Sequence, residues 1–225
     1  EEYNEKNLVV SVDGSYTNES VLKALDEKVV IIGRVRKDCK LHQTPTLTQN
    51  GKVGRNRVYG TALPTPECIR QSDQYEWRDV KAWATGKIHT FQIKTIDTVR
   101  WRKAGGQDMR LVIIRPIGYR LTKQSKLLYK EPAYLICTSV KLPVEKLLQA
   151  YLWRWGIEVN FRDQKTLLGC GQAQVRKEIP CSKVPQFVTA VYSMLLLASS
   201  QAKIIDLPRP KWYTKLKTQR TTTQD

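Results

Sequence analysis

Residues Leu8 to Val12 read L-V-V-S-V, a short, apolar, largely β-branched run that stops at Asp13-Gly14. Such a run predicts a buried strand. Thr17 or Asn18 is placed to cap a helix reaching to about Lys28, and Val29 to Val35, V-V-I-I-G-R-V, predicts a second buried strand. A strand, a turn, a helix and a second strand in this order predict a βαβ unit, whose two strands run parallel. Asp13 then lies at the carboxyl end of the first strand, where open α/β sheets usually place their ligands. Asp-Gly is also a common turn pair. Asp13 therefore has two readings, a ligand-binding carboxylate and a turn residue.

A long helix is predicted further on. Pro143 suits its first turn, Val144 to about Leu168 form its body, and Gly169 and Gly171 are stop signals. Inside it, Tyr151 to Lys165 read Y-L-W-R-W-G-I-E-V-N-F-R-D-Q-K. At about 100° per residue, Tyr151, Arg154, Glu158 and Lys165 fall within about a 60° sector of one face. A phenol, a carboxylate and two cations suit a surface where the carboxylate holds a metal and the cations hold phosphate. Arg162 lies close to the same sector and extends the cationic stripe. The alternative is a solvated face with an Arg154–Glu158 pair, worth about 0.2–0.5 kcal/mol.

The formal net charge of +17, from 38 Lys and Arg against 21 Asp and Glu, predicts a polyanionic partner. DNA, RNA and an anionic membrane surface all meet that description. The run Val188 to Ala198 is shorter than the roughly 20 residues of a bilayer span and predicts a buried core helix from Val184 to about Ile204. The beginning, E-E-Y-N-E-K, does not read as a secretory signal. Five cysteines without a C-x-x-C pair, and only His42 and His89 beside them, speak against structural zinc. They read as free thiols of a reducing cytoplasm.

Between these landmarks, Lys37 to Arg70 read as a basic loop region. Gln74 to Thr138 have β character, with strands expected at Lys87–Ile96, Val99–Arg102, Met109–Pro116 and Ala133–Thr138, together an antiparallel insertion. Trp77, Trp83 and Trp101 lie in or near it, and arginines adjoin two of them. Aromatics interleaved with arginine can stack on exposed bases, or simply pack within strands.

The spacing Y-x2-R-x3-E-x6-K resembles the Y-R-E-K signature of the cut-and-paste DDE transposases of bacterial insertion sequences. V-D-G-S-Y-T-N followed by I-I-G-R-V-R-K-D is similar to the segment around that family's second catalytic Asp. The long interval between Asp13 and Glu158 suits the subgroup with a β insertion. The resemblance spans most of residues 8–205.

It implies an α/β, RNase H-like mixed sheet with flanking helices, interrupted by a β-rich insertion. In domain terms it implies core at 1–38, basic loop and insertion at 39–142, core helices at 143–205 and a basic flexible tail at 206–225. Asp13 and Glu158 would be catalytic and metal-binding, holding two Mg2+ or Mn2+ ions. Tyr151, Arg154 and Lys165, with Arg162 beside them, would contact DNA. The partners implied are double-stranded DNA, at terminal inverted repeats and target, and a second copy on paired ends. The implied setting is a bacterial cytoplasm, at the nucleoid.

The family's first catalytic Asp lies upstream of the second, yet no Asp precedes Asp13. The expectation is thus an N-terminally truncated piece, or one whose missing part another chain supplies, that lacks its first strands and does not cut on its own. Another arrangement makes Asp13 the first carboxylate and Asp97 or Asp108 the second. The functional alternatives are a non-cutting DNA-binding remnant and an unrelated basic RNA-binding protein.

Overall fold

The computed structural model describes residues 8–46, 57–84, 87–119, 124–129 and 131–201. The expected tail and part of the basic loop lie outside them. The parallel start is present: β1 (Leu8–Val12) and β2 (Val29–Arg34) pair in parallel, Leu8 opposite Val29 and Val12 opposite Gly33. Their connection holds a 3-10 turn, Gly14–Tyr16, and a helix shorter than expected, α1 (Glu19–Lys23). Asn18 caps α1, its side-chain oxygen accepting from Val21 N–H at 3.1 Å. Asp26 helps end the helical stretch: its carboxylate accepts from Lys28 N–H at 2.8 Å, a local bond that competes with helix.

The remaining strands are β3 (Leu41–His42), β4 (Arg78–Ala84), β5 (Lys87–Trp101), β6 (Asp108–Ile114), the ribbon β7 (Gly118–Tyr119) with β8 (Leu128–Tyr129), and β9 (Ala133–Cys137). Seven of these nine form one mixed sheet in the order β1-β2-β9-β6-β5-β3, with β4 also on β5. The mixed α/β class expected from the sequence is therefore the observed one. The strands of the β-rich region do not stand as a separate layer. β9 lies antiparallel beside β2, Ile32 opposite Cys137, so β6 and β5 prolong the sheet that β1 begins. The two strands expected at Lys87–Ile96 and Val99–Arg102 are one strand with a register shift between Ile96 and Val99. A bulge of this kind breaks the apolar alternation without ending the strand.

One face of the sheet buries Leu41, Val99, Met109, Leu111 and Ile136 together with Ile69 of α2 (Pro66–Gln71). Thr65 caps α2, accepting from Cys68 N–H at 3.3 Å, and Pro66 occupies the first turn. The other end of α2 is closed by Lys94 of β5. Its buried ammonium donates to the carbonyls of Ile69 (3.2 Å), Arg70 (3.0 Å) and Ser72 (2.7 Å), with the Trp77 ring 4.6 Å away. A cation at a helix C-terminus satisfies carbonyls that have no partner inside the helix.

The expected single helix from Val144 is interrupted at Arg154 and becomes α3 (Val144–Trp153) and α4 (Trp155–Thr166). Gly156 and the β-branched Ile157 and Val159 just beyond the break have lower helix propensity than Ala or Leu. α3 packs on β1 and β2 through the buried Leu147 and Leu148. Gln149 serves as a strand partner for Trp83, accepting from its N–H (2.8 Å) and donating to its carbonyl (3.0 Å). Arg110 donates to the carbonyls of Val140 and Leu142, which fixes the approach to α3.

The described residues divide at this break into two compact units, one holding those up to Trp83 and within Ile88–Trp153, the other those within Ala84–Lys87 and from Arg154 to Gln201. In the second unit α4 lies against α5 (Glu178–Gln201). Tyr192 places its hydroxyl 3.2 Å from Asn160 Oδ1 and 3.4 Å from Asp163 Oδ2, and Thr189 lies 3.2 Å from Gln164 Oε1. The expectation of a buried core helix here is corrected. Phe187 is 70% and Met194 69% exposed, and Tyr192 is the buried residue of the helix. An apolar run shows that a face prefers burial, but not what covers it. By length and composition alone α5 is also long and apolar enough to cross a membrane, with a mean hydropathy of 1.2.

Candidate active site

Asp13 ends β1 and caps the 3-10 turn, with Oδ1 accepting from Gly14 N–H at 2.8 Å. The turn role that Asp-Gly predicts is thus real. It engages one carboxylate oxygen; Oδ2 accepts no hydrogen bond among the described residues, and the side chain is exposed. The turn itself is held from below by Thr17, which is 5% exposed. Thr17 Oγ1 lies 2.7 Å from Gly14 O and 2.5 Å from Arg34 O, so one hydroxyl proton is shared between the turn and the end of β2.

Beside Asp13 opens a cavity of about 930 Å3 within the first unit. Arg34, Lys37, Lys40 and Lys103 line it, together with the cluster of Glu67, Arg70 and Tyr134. Glu67 accepts from Arg70 Nη2 (2.6 Å), Arg70 Nε (3.0 Å), Gln71 Nε2 (2.7 Å) and the Tyr134 hydroxyl. The Arg70 guanidinium, aided by Tyr134, pulls the Glu67 carboxyl down to about 2. Burial, then the neighbouring carboxylate, push the Tyr134 phenol up to about 12. Burial likewise raises the Cys39 thiol to about 12, which leaves it inert at neutral pH. Glu67 is so engaged that it is a structural wall of the cavity and not a spare ligand.

Asp97 and Asp108 do not join Asp13. Sheet register sets Asp108 three strands across and about four residues down from it, and Asp97 four strands across. At about 4.8 Å per strand, each is more than about 14 Å away, far beyond two ions spaced about 3.5–4 Å. Both have arginine partners: Asp97 pairs with Arg110 at 2.8 Å, and Asp108 with Arg100 at 2.7 Å. Arg100 holds the Asp108 carboxyl below the ordinary carboxylate range. The arrangement with Asp97 or Asp108 as second carboxylate is therefore set aside.

In the second unit, Arg154 begins α4 and Glu158 follows one turn on. Arg154 Nη2 stands 3.4 Å from Glu158 Oε1, the pair that helical spacing predicts. At that distance the bond is weak, and the Glu158 side chain is 45% exposed. Lys165 is exposed in the last turn. Arg162 is engaged through Nε (3.1 Å) and Nη2 (3.0 Å) with Asp163, whose side chain is buried. Asp163 gave no signal in the helical pattern, since it adjoins the cationic stripe in sequence. Tyr151, half-buried on α3, belongs to the first unit, so the five residues share no single helix.

The tryptophans are packing residues first. Trp101 is 9% exposed and in the core, Trp77 lies under Lys94 and Arg115, and Trp83 is half-buried. Sequence reasoning did not single out Thr17 for its bridge, nor Lys37, Lys40 and Glu67, which sat in a stretch read only as basic loop. A strand end at Arg34 followed by V-R-K-D-C-K is the available signal.

Among the described residues no three His, Cys, Asp or Glu side chains cluster as a metal site. Asp13 and Glu158 nonetheless suit a hard divalent ion one by one: each is an exposed carboxylate with an oxygen to spare. The family model described as transposase DDE domain matches residues 1–180. No curated protein matches the chain.

Proposed function

The chain belongs to the transposase DDE-domain family, and from that membership we propose that it acts in cut-and-paste DNA transposition, with Asp13 and Glu158 as metal-binding carboxylates. Asp13 carries this reading: it is an exposed carboxylate at the carboxyl end of a parallel strand, with Oδ2 uncommitted, beside a cavity rich in cations. Membership in the family also replaces the reading of an unrelated RNA-binding protein.

The reaction proposed is hydrolysis of a phosphodiester at the end of an insertion sequence, which frees a 3′-hydroxyl that then joins target DNA. A pair of magnesium or manganese ions, when bound, would activate the attacking oxygen and offset charge on the leaving one. The chain's own part is to hold and to orient. Asp13 and Glu158 each supply one ligand, and a third carboxylate comes from outside the described residues. Arg154 presents a forked donor to phosphate and Lys165 a point charge. Tyr151 positions the strand end. Arg162 supports α4 through Asp163 and takes a lesser share of the DNA. Two copies act on paired DNA ends.

The test is magnesium-dependent nicking of a supercoiled plasmid bearing the element's terminal repeats, by protein expressed from its whole reading frame. Asp13→Asn and Glu158→Gln each remove nicking and leave DNA binding in place. Nicking that survives both changes sinks the metal assignment. DNA binding by the unaltered protein without any nicking favours the DNA-binding remnant instead.

A further inference from the structure

The cavity beside Asp13 has an uneven charge balance. Two of its cations are answered within its walls: Arg36 pairs with Asp38 at 3.0 Å and Arg70 with Glu67 at 2.6 Å. Arg34, Lys37, Lys40 and Lys103 take part in none of the ion pairs formed among the described residues, and all four are exposed. Among the carboxylates that line the cavity, Asp13 and Glu131 are the two outside those pairs. The cations are also spread out. Arg34 closes β2, Lys37 and Lys40 follow along the turn after it, and Lys103 comes from the 3-10 turn Arg102–Ala104 after β5. Lys103 is held in place over the Trp101 ring at 5.2 Å, and Thr17 anchors Arg34 through its carbonyl.

A single small anion is recognised by donors that converge on one point. Separated point charges along a wall fit a polyanion whose charges recur at intervals, as successive phosphates do along a nucleic-acid strand. We propose that Arg34, Lys37, Lys40 and Lys103 form a track for the phosphodiester backbone of one DNA strand, leading it past Asp13. The track rests on the reading of Asp13 as a catalytic carboxylate and adds a binding surface in the first unit, separate from Arg154 and Lys165. In it the turn of Arg34 to Lys40 has one purpose at two levels. Its backbone extends the pairing of β2 with β9, Val35 N–H donating to Tyr134 O at 2.9 Å, and its side chains neutralise the strand that the carboxylate works on. Glu67, locked by Arg70 and Tyr134, leaves these lysines unneutralised.

The experiment measures binding of the full chain to a fluorescein-labelled 20-nucleotide single strand of mixed sequence across a range of salt concentrations. Each phosphate contact on a single strand contributes about 0.7 to the slope of log affinity against log salt. The triple variant Lys37→Gln, Lys40→Gln, Lys103→Gln lowers that slope by about two units, and each single variant by about 0.7. A control of equal charge change, Lys81→Gln, Lys126→Gln, Lys141→Gln, takes exposed lysines outside the cavity and leaves the slope nearly unchanged. Circular dichroism checks folding; if the triple variant does not fold, the single variants decide. An unchanged slope in the cavity variants, or an equal loss in the control, overturns the track while leaving the role of Asp13 standing. Failure of the unaltered chain to bind DNA at all overturns the functional reading itself.

Discussion

The Thr17 methyl stands where a side chain at Gly33 would have to go. A Cβ placed on Gly33 lies 2.2 Å from Thr17 Cγ2 and 2.8 Å from Val12 Cγ2. Glycine is required at this strand position for room: it lets the segment after Asp13 settle on β2 closely enough for Thr17 Oγ1 to reach Arg34 O. Gly33→Ala is therefore expected to lower stability by about 1–3 kcal/mol through overpacking. Thr17→Ser keeps the hydroxyl and removes the methyl, so the double variant recovers part of the loss. Urea denaturation of the four proteins measures the coupling; strict additivity contradicts the interlock.

Lys94 sits in the core as a cap for α2. Lys94→Met keeps the stem and removes the ammonium, leaving three carbonyls with one partner fewer. Hydrogen bonds from charged donors contribute about 1.5–3 kcal/mol, so a loss of about 2 kcal/mol is expected. A stability unchanged within about 0.5 kcal/mol contradicts the capping role.

Glu67 makes acid stability testable. Its carboxyl is drawn from an ordinary 4.5 to about 2 in the folded chain. A carboxyl with a depressed folded value stabilises fully above its unfolded value, and that stabilisation fades as pH falls toward the folded one. The advantage of the unaltered chain over Glu67→Gln is therefore full at pH 6, shrinks below about 4.5 and is mostly gone near 2. Urea midpoints of both proteins at several pH values follow this. A constant difference across the range contradicts the Arg70–Glu67–Tyr134 linkage.

Arg154 and Arg162 separate on the same helix. Arg154→Ala is expected to weaken duplex DNA binding and lower the salt slope by about one unit. An unchanged slope returns Arg154 to a surface pair with Glu158. Arg162→Ala instead strips the buried Asp163 of its cation and is expected to destabilise by about 1–3 kcal/mol. A change in salt slope as large as that of Arg154→Ala, without loss of stability, reverses this assignment.

The family was legible along the chain because its signature rests on residue types at fixed intervals. The spacing of Tyr151, Arg154, Glu158 and Lys165 carries the resemblance to that family, and L-V-V-S-V-D-G predicts the strand that ends at Asp13. The parallel pair β1–β2 followed from its β-branched runs. The sequence also left matters open that pattern cannot reach. Lys94 looks like a surface residue of an alternating strand, and Thr17 like one of two possible caps. Asp163 is hidden by its neighbour Arg162. Each is decided by a partner far away in sequence or on another element: the α2 carbonyls, the end of β2, Tyr192 of α5. The same holds for the sheet, where β9 reaches β2 across about a hundred residues, and for α5, whose apolar face is evident while its exposure is not. Periodicity is a local property, set by the geometry of one element. Burial and charge pairing depend on which elements meet, and only the tertiary structure decides that.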